Sequence, residues 1–198
     1  MPITADQVKQ LREMTGAGMM ECKKALADSG GDLDKAIDAL RKSGAAKAEK
    51  RSGRAAKEGR VESYIHPGNR VGVLVEVNCE TDFVARTDEF GELVRNVAMQ
   101  VAAAGAEFVR REEVPEERVA REKEILLAQT EASGKPAAIL EKIVEGKLGK
   151  FFAEVCLLEQ PYIRDDKRTV GDIVSEAASK TGENIVVRRF ARFRLGAE

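Results

Sequence analysis

The clearest structural pattern of this chain lies in the stretch VESYIHPGNRVGVLVEVNCETDFVARTDEF, residues 61–90. Two runs rich in β-branched residues, 61–66 and 71–78, flank the turn sequence PGN at 67–69, which is the pattern of a β-hairpin. Side chains alternate between the two faces of a strand. The second run therefore predicts a half-buried strand whose apolar face carries Val71, Val73, Val75 and Val77.

An amphipathic helix is predicted directly after the hairpin. Thr87 has the position of an N-cap, and Gly105 has the position of a C-terminal stop. The apolar stripe between them has the helical period of 3.6 residues. It consists of Phe90, Leu93, Val94, Val97 and Val101.

The connector between hairpin and helix contains Phe83 and Val84, although connectors are usually polar and lie on the surface. Two interpretations remain open from the residues alone. One of these side chains could fold back beneath the sheet, or Phe83 could project as an anchor for a partner protein, because interfaces concentrate their binding energy in such residues.

The rest of the sequence predicts further helices and one late strand, and hence an α+β core with a small antiparallel, three-stranded sheet. The late strand is NIVVRRFARFRL at 184–195, in which β-branched and aromatic residues dominate. Helical periodicity occurs at 116–132 and 136–148, a less regular apolar segment follows at 151–158, and a helix over 170–181 is stopped by Gly182.

Three short helices are predicted before the core. Thr4 and Gln7 form a capping-box pattern, with Ile3 and Val8 spaced as a hydrophobic staple. Asp32 is the predicted N-cap of the third helix, which should end at Gly44. Helices of this length are not stable alone, so they should pack as a bundle. We predict three parts: a three-helix domain at 1–44, an exposed, partly helical basic linker at 45–60 and an α+β core at 61–198.

Composition excludes several classes of protein. The chain has 198 residues, 43% of them hydrophobic and 34% charged, which is typical of a globular protein. No apolar run is long enough to cross a membrane and the N-terminus does not resemble an export signal, so we expect a cytoplasmic protein. The formal net charge of −1 does not favour nucleic-acid binding. The three cysteines are interpreted as buried thiols.

Catalytic chemistry has few candidate residues in this sequence. His66 is the only histidine, and it lies at a predicted strand end where a surface role is the simpler interpretation. The segment GAGMME at 16–21 lacks the third glycine and the preceding strand of a dinucleotide-binding loop. We therefore predict no catalytic residue, metal site, cofactor or direct nucleotide binding, and expect the chain to act through a protein-binding surface.

Three motifs resemble those of the bacterial elongation factor Ts family, in the same order along the chain. They are VKQLREMTGAGMMECKKAL at 8–26, NCETDFVAR at 78–86 and ENIVVRRFARFRLG at 183–196. The resemblance implies a guanine-nucleotide exchange factor for elongation factor Tu, the GTPase that carries aminoacyl-tRNA to the ribosome. Such a factor makes and breaks no covalent bond, in agreement with the sparse catalytic inventory.

The resemblance also implies which residues contact the partner. In this family the Asp-Phe pair of the TDFVA motif inserts beside the magnesium and nucleotide site of elongation factor Tu. The matching residues are Thr81, Asp82, Phe83 and Val84.

A UBA-like N-terminal domain that docks on the GTPase domain of the partner is implied as well. The matching positions are Arg12, Met19, Met20 and Lys23. Adjacent methionines cannot both face the same side of a helix, so at least one of Met19 and Met20 should be exposed.

The chain is short for this family, whose longer members have a second core subdomain, a protruding helical hairpin and a C-terminal helical module. Short members that resemble this chain pair two copies through their sheets. We therefore expect a homodimer, with Phe190, Phe193 and Leu195 in the interface or, alternatively, packed within one subunit. A second hypothesis is an RNA-binding or ribosome-associated protein that uses the basic linker and the arginine-rich last strand.

Overall fold

The chain has the predicted α+β fold in the computed structural model, which describes residues 3–131 and 137–197. Within these residues the α-helices are α1 (Ala5–Thr15), α2 (Met19–Asp28), α3 (Leu33–Arg51), α4 (Asp82–Ala85), α5 (Asp88–Ala104), α6 (Glu116–Glu131), α7 (Ala137–Val155) and α8 (Val170–Thr181). The strands are β1 (Glu58–Ile65), β2 (Val71–Cys79), β3 (Pro161–Tyr162), β4 (Asp165–Thr169) and β5 (Val186–Arg194). None of the described helices is long and apolar enough to cross a membrane.

The predicted three-stranded antiparallel sheet is confirmed, with strand order β1-β2-β5. Val73, Val75 and Val77 of β2 are buried, as their alternation predicts, and Val71 at the start of the strand is half-buried. The α5 helix follows with its predicted stripe buried. Its N-cap Thr87 accepts a hydrogen bond from the Phe90 amide at 3.2 Å. The predictions of strand β2 and of helix α5 are both confirmed.

The N-terminal helices enclose a small core of their own. The capping box is present, because the Thr4 side chain accepts from the Gln7 amide and the Gln7 side chain accepts from the Thr4 amide. Asp32 accepts from the Lys35 amide at 3.1 Å as the N-cap of α3. The core consists of Val8, Leu11, Cys22, Ala25, Leu26 and Ala36.

The third helix is longer than predicted. It continues through Gly44 to Arg51, so the predicted end at Gly44 is wrong. The segment after Gly44 is rich in Ala, Lys and Glu, which are good helix formers, and one glycine costs only about 1 kcal/mol relative to Ala. Arg51 donates to the Ala178 carbonyl at 3.3 Å, and Lys47 forms an ion pair with Glu21.

Two compact units make up the chain, and each contains segments that are distant in sequence. Unit 1 comprises residues 1–60, 77–93 and 172–186, and unit 2 comprises residues 61–76, 94–171 and 187–198. The three-part division predicted from the sequence stays a prediction.

A second, two-stranded sheet was not predicted. Strands β3 and β4 pair antiparallel, with Pro161 opposite Thr169. The buried side chain of Gln100 holds this hairpin: its amide donates to the Pro161 carbonyl at 3.1 Å, and its carbonyl accepts from the Ile163 amide at 2.9 Å. The pairing depends on a glutamine from α5, which the local pattern of 161–169 does not reveal.

The helices α6 and α7 pack against each other. The α7 helix continues beyond its predicted end at residue 148 to Val155, and thus includes much of the irregular apolar segment. Its end is held by a small core that contains Phe152 and Cys156 together with Val114. The predicted helix ends at Ala132 and Pro136 lie outside the described residues.

Candidate functional site

Phe83 projects from the connector after β2. This connector forms a single helical turn, α4, whose N-cap Thr81 accepts a hydrogen bond from the Val84 amide at 3.3 Å. The Phe83 side chain is 80% exposed, whereas Val84 is only 8% exposed. Thus Val84 packs inward, as the first interpretation allows, and Phe83 points into solvent, as the second requires. That Phe83 binds a partner stays a prediction.

Glu183 holds the N-terminal side of this turn. One carboxylate oxygen accepts from the amides of Glu80 and Thr81 at 3.0 and 3.1 Å, and the other accepts from the Thr81 hydroxyl at 2.6 Å. Hydrogen bonds to an ionised group are stronger than neutral ones. The sequence reasoning missed Glu183, because nothing in the local sequence links it to a turn so far away in the chain.

Asn184 connects the same turn to the end of α3. Its amide N–H donates to the Glu80 carboxylate at 2.7 Å, and its buried side chain donates to the carbonyls of Ser52 and Arg54 at 3.3 and 2.8 Å. Arg54 in turn lies 3.4 Å from the Glu80 carboxylate. The segment that the sequence suggested as a linker therefore supports the Phe83 turn.

Arg60 holds the C-terminal side of α4. Its guanidinium donates to the Ala85 carbonyl and, at 3.1 Å, to the Thr87 carbonyl. Gly91 leaves space for this group, since a Cβ there would overlap the guanidinium. The turn is thus held at both ends by side chains of opposite charge, Glu183 and Arg60, which we call the α4 clamp.

Asp82 remains on the surface. It forms an ion pair with Arg86 one helical turn later, with 2.9 Å between the carboxylate and the guanidinium. Both side chains are well exposed, and exposed pairs contribute little to stability. The carboxylate of Asp82 can therefore exchange this contact for another without a large loss.

Cys79 lies buried below the turn. Its thiol donates to the Thr81 carbonyl at 3.1 Å. Burial raises the pKa of Cys79, and the nearby Glu183 carboxylate acts in the same direction. The thiol therefore stays protonated and serves as a donor that supports the N-cap residue.

The three N-terminal helices α1 to α3 are called the head from here on, and its predicted partner-binding residues lie around the turn between α1 and α2. Arg12 and Lys23 are exposed, and both methionines are exposed as well: Met19 at 49% and Met20 at 75%. The sequence reasoning missed Met14, which is also exposed. Its position off the buried α1 stripe could have indicated this.

The C-terminal end of α8 lies next to both groups of predicted residues in unit 1. The aliphatic part of Lys180 covers Gly16 in the α1–α2 turn. The Ala178 carbonyl accepts from Arg51, and Glu183 follows just after the helix. One short segment therefore contacts the head, the end of α3 and the Phe83 turn.

His66 lies on the surface next to the hairpin turn, where its Nδ1 is 3.2 Å from the Tyr64 hydroxyl. In the part of the chain that the structure describes, no group of three or more His, Cys, Asp or Glu side chains is arranged to hold a metal ion. The geometry around α4 is that of an exposed phenylalanine on a turn that other segments support.

Comparison with known proteins assigns the family. A family model described as Elongation factor TS matches residues 37–197. Proteins named elongation factor Ts from Carboxydothermus hydrogenoformans and Moorella thermoacetica are each 60% identical over 194 residues, which is 98% of this chain and 89% and 96% of those proteins. The protein of that name from Geobacter sulfurreducens is 58% identical over 196 residues, 99% of this chain and 91% of its own length. The chain belongs to the elongation factor Ts family.

Proposed function

We propose that this chain is a guanine-nucleotide exchange factor for elongation factor Tu and acts in translation elongation. Membership in the elongation factor Ts family supports this function. The observation that carries it is the exposure of Phe83 on a turn supported from both sides. A cytoplasmic location is part of the proposal.

Phe83 supplies the binding energy for exchange in this proposal. Full burial of a phenylalanine side chain is worth about 1.5–3 kcal/mol. This energy is available only if the partner opens a pocket next to its nucleotide. The contact is then stronger in the nucleotide-free partner than in the loaded one, so the factor favours the free state.

Asp82 completes the proposed contact, and the flanking Thr81 and Val84 position it. Magnesium in the partner bridges protein and phosphate and tolerates little distortion of its octahedral shell. Insertion of Phe83 with the neighbouring Asp82 carboxylate disturbs that shell, and GDP is released. Val84 anchors the turn from below and Thr81 caps it, so they contribute through backbone position.

Exchange also requires that the factor leave. Coupling between two binding sites is reciprocal. If the factor weakens the binding of a nucleotide to the partner, the nucleotide weakens the binding of the factor by the same amount. Rebinding of GTP therefore displaces the chain from the partner. The cycle makes and breaks no covalent bond in this chain, which acts through binding alone.

The head contributes a second contact in this proposal. Met19 and Met20 offer flexible, exposed apolar side chains, which suit an adaptable interface. Arg12 and Lys23 add positive charge next to them. We propose that this surface docks on the GTPase domain of the partner while Phe83 acts at the nucleotide site.

A homodimer is the further part of the proposal. Leu74 and Glu76 of β2 alternate with the buried valines, so they lie on the opposite face of the sheet. Arg189 reaches Glu76 at 2.7 Å, and Ile65 packs over Gly72, so β5 and β1 add to this face. The exposed apolar residues of these strands in unit 2, which we call the outer sheet face, are Val61, Ile65, Leu74 and Phe193.

This face supports pairing of two copies through their sheets, because its exposed apolar side chains would leave water when a second sheet covers them. Of the residues predicted at the interface, Phe193 and Leu195 are exposed and Phe190 is half-buried.

The RNA-binding hypothesis is not favoured. Arg189 pairs with Glu76, and Arg192 donates to the Ala102 carbonyl at 3.3 Å. In the basic linker Arg51 and Arg54 also bond within the chain. These four arginines therefore have contacts within the chain that do not require a nucleic-acid ligand.

Release of a fluorescent GDP analogue from elongation factor Tu tests the exchange function. The native chain should accelerate release, and Phe83→Ala should lower the accelerated rate about 10- to 100-fold, which corresponds to the energy of phenylalanine burial. Ile125→Ala, which truncates an exposed apolar side chain of α6, is the matched control and should retain the native rate. Release that the native chain does not accelerate would refute the proposal.

A further inference from the structure

We infer that Glu183 and Arg60, the α4 clamp, are positioning residues that hold Phe83 in the orientation required for nucleotide exchange. The inference rests on the proposed exchange function, but it concerns two residues outside the TDFVA motif. Neither residue needs to contact the partner, because both act on the backbone of the turn that carries Phe83.

The Phe83 turn cannot hold its own shape. It contains only four helical residues, and the first turn of a helix is unfavourable because several backbone dihedrals are ordered for few hydrogen bonds. Phe83 itself adds no packing, since its side chain is 80% exposed. Val84 and Ala85 pack inward, but the hydrogen bonds at the two ends of the turn come from other elements.

Glu183 supplies this support on the N-terminal side. Its three hydrogen bonds involve Glu80 and Thr81, the residues directly before α4. The Thr81 hydroxyl donates to Glu183 while it accepts from the Val84 amide, so the carboxylate also orients the N-cap. Loss of the carboxylate would leave two amides and one hydroxyl without their acceptor.

Arg60 supplies the support on the C-terminal side. A planar guanidinium has donors in a fixed arrangement, and here they reach two carbonyls, those of Ala85 and Thr87. Lysine could not make both contacts with the same geometry. Gly91, at which any side chain would collide with Arg60, keeps this position open.

The clamp makes a kinetic prediction that simple loss of folding does not. Glu183→Ala and Arg60→Met should lower the maximum rate of GDP release at saturating factor about tenfold or more, as expected when a bound group is misplaced. The concentration of factor at half-saturation should change less than about threefold, because the head surface is intact. Unfolding would instead reduce the active fraction and leave the maximum rate per active molecule unchanged.

Conservative variants sharpen the test. Glu183→Gln keeps one acceptor oxygen, so its maximum rate of GDP release should lie between those of the native chain and Glu183→Ala. Arg60→Lys should regain less of the rate that Arg60→Met loses. Thr81→Val combined with Glu183→Ala should be less harmful than the sum of the single changes, because both remove the same hydrogen bond. Glu92→Ala, at an exposed glutamate of α5, is the matched control and should retain the native maximum rate.

Amide hydrogen exchange of the free protein gives a readout that does not depend on elongation factor Tu. A peptide covering residues 79–87 should exchange about tenfold faster in Glu183→Ala and Arg60→Met, while peptides from α5 keep the native rate. An unchanged hydrogen-exchange rate in the peptide 79–87 would overturn the inference that Glu183 and Arg60 hold the turn.

The two proposals fail in different ways. A native chain that does not accelerate GDP release refutes the exchange function, and hydrogen exchange then decides whether Glu183 and Arg60 hold the turn. A native chain that is active, with clamp variants within about twofold of its maximum rate, overturns the positioning role alone.

Discussion

Adjacent residues in the Phe83 turn have opposite environments. In a helical turn neighbouring side chains point about 100° apart, so Val84 can pack inward while Phe83 faces solvent. Hydrophobicity alone does not distinguish them, since both residues are apolar. The position of Thr81 as N-cap sets the phase of the turn and thereby decides which of the two is exposed.

Replacement of Gly59 by any other amino acid is expected to destabilise the fold. Its φ of +142° lies in a region that L side chains rarely adopt, and a Cβ would overlap the carbonyl of Val77. We expect Gly59→Ala to lower the free energy of unfolding by about 2–4 kcal/mol, measured by urea denaturation.

Gly53→Ala is the matched control for Gly59→Ala, because a Cβ at Gly53 has no neighbour within 4 Å. It should change the stability by less than about 1 kcal/mol. Equal losses for both glycine variants would contradict the steric explanation.

Cys156 makes stability dependent on pH in the alkaline range. Burial raises the pKa of its thiol from 9.0 to about 11 in the folded chain. The unfolded chain therefore loses this proton first as pH rises, which favours unfolding. Between pH 8 and pH 10 the thiol should lower the free energy of unfolding by about 1 kcal/mol. Urea denaturation at the two pH values measures this effect.

Cys156→Ala removes the titrating group and separates its effect from that of other residues. The variant is less stable at pH 8 because it creates a cavity, but its stability should fall less between pH 8 and pH 10. A parallel loss in native chain and variant would show that Cys156 does not cause the effect.

At the scale of elements, the ends of the helices follow local rules closely. The α1 capping box and the Thr87 cap of α5 both occur as their residues predict. Caps depend on neighbours three residues apart, so local sequence contains all the information. The end of α3 does not follow such a rule, because long-range contacts of Lys47 and Arg51 support its last turns.

Thr4→Ala tests the contribution of the α1 cap. It should lower the free energy of unfolding by about 1 kcal/mol, because the Gln7 amide loses its acceptor. Chemical denaturation measures the change. Gln10→Ala, at an exposed site within α1, should be neutral or slightly stabilising because alanine has a higher helix propensity. A Thr4→Ala variant as stable as Gln10→Ala would rule out the cap as a source of stability.

At the scale of the whole molecule, the outer sheet face sets the expected oligomeric state. Four apolar side chains exposed on one face of a sheet lower the free energy when a second copy covers them. Phe193→Asp places a charge in that interface and should weaken dimerisation about 100-fold or more, since burial of an unpaired charge is unfavourable. Sedimentation equilibrium over a range of concentrations measures the dissociation constant.

A charge elsewhere on the surface provides the control. Ile139 of α7 is also an exposed apolar residue, and Ile139→Asp should leave the dissociation constant unchanged. A native chain that sediments as one subunit at micromolar concentration would argue against the dimer.

Much of the fold was predictable because it depends on local patterns. The alternating valines of β2 and the periodic stripe of α5 both face the interior as predicted. The β3–β4 hairpin was missed because a buried glutamine from α5 holds it. The Phe83 turn was recognised as a candidate site, but the α4 clamp was not.

Local patterns were enough to predict the individual strands, the α+β class and the helix caps, and three motifs spread along the chain were enough to indicate the family. The exposure of Phe83 and the support of its turn by Glu183 and Arg60 were found only in the folded chain. The physical reason is that hydrogen bonds between distant segments form only after folding has brought their backbones together. Periodicity and residue spacing do not indicate which distant residues form such hydrogen bonds.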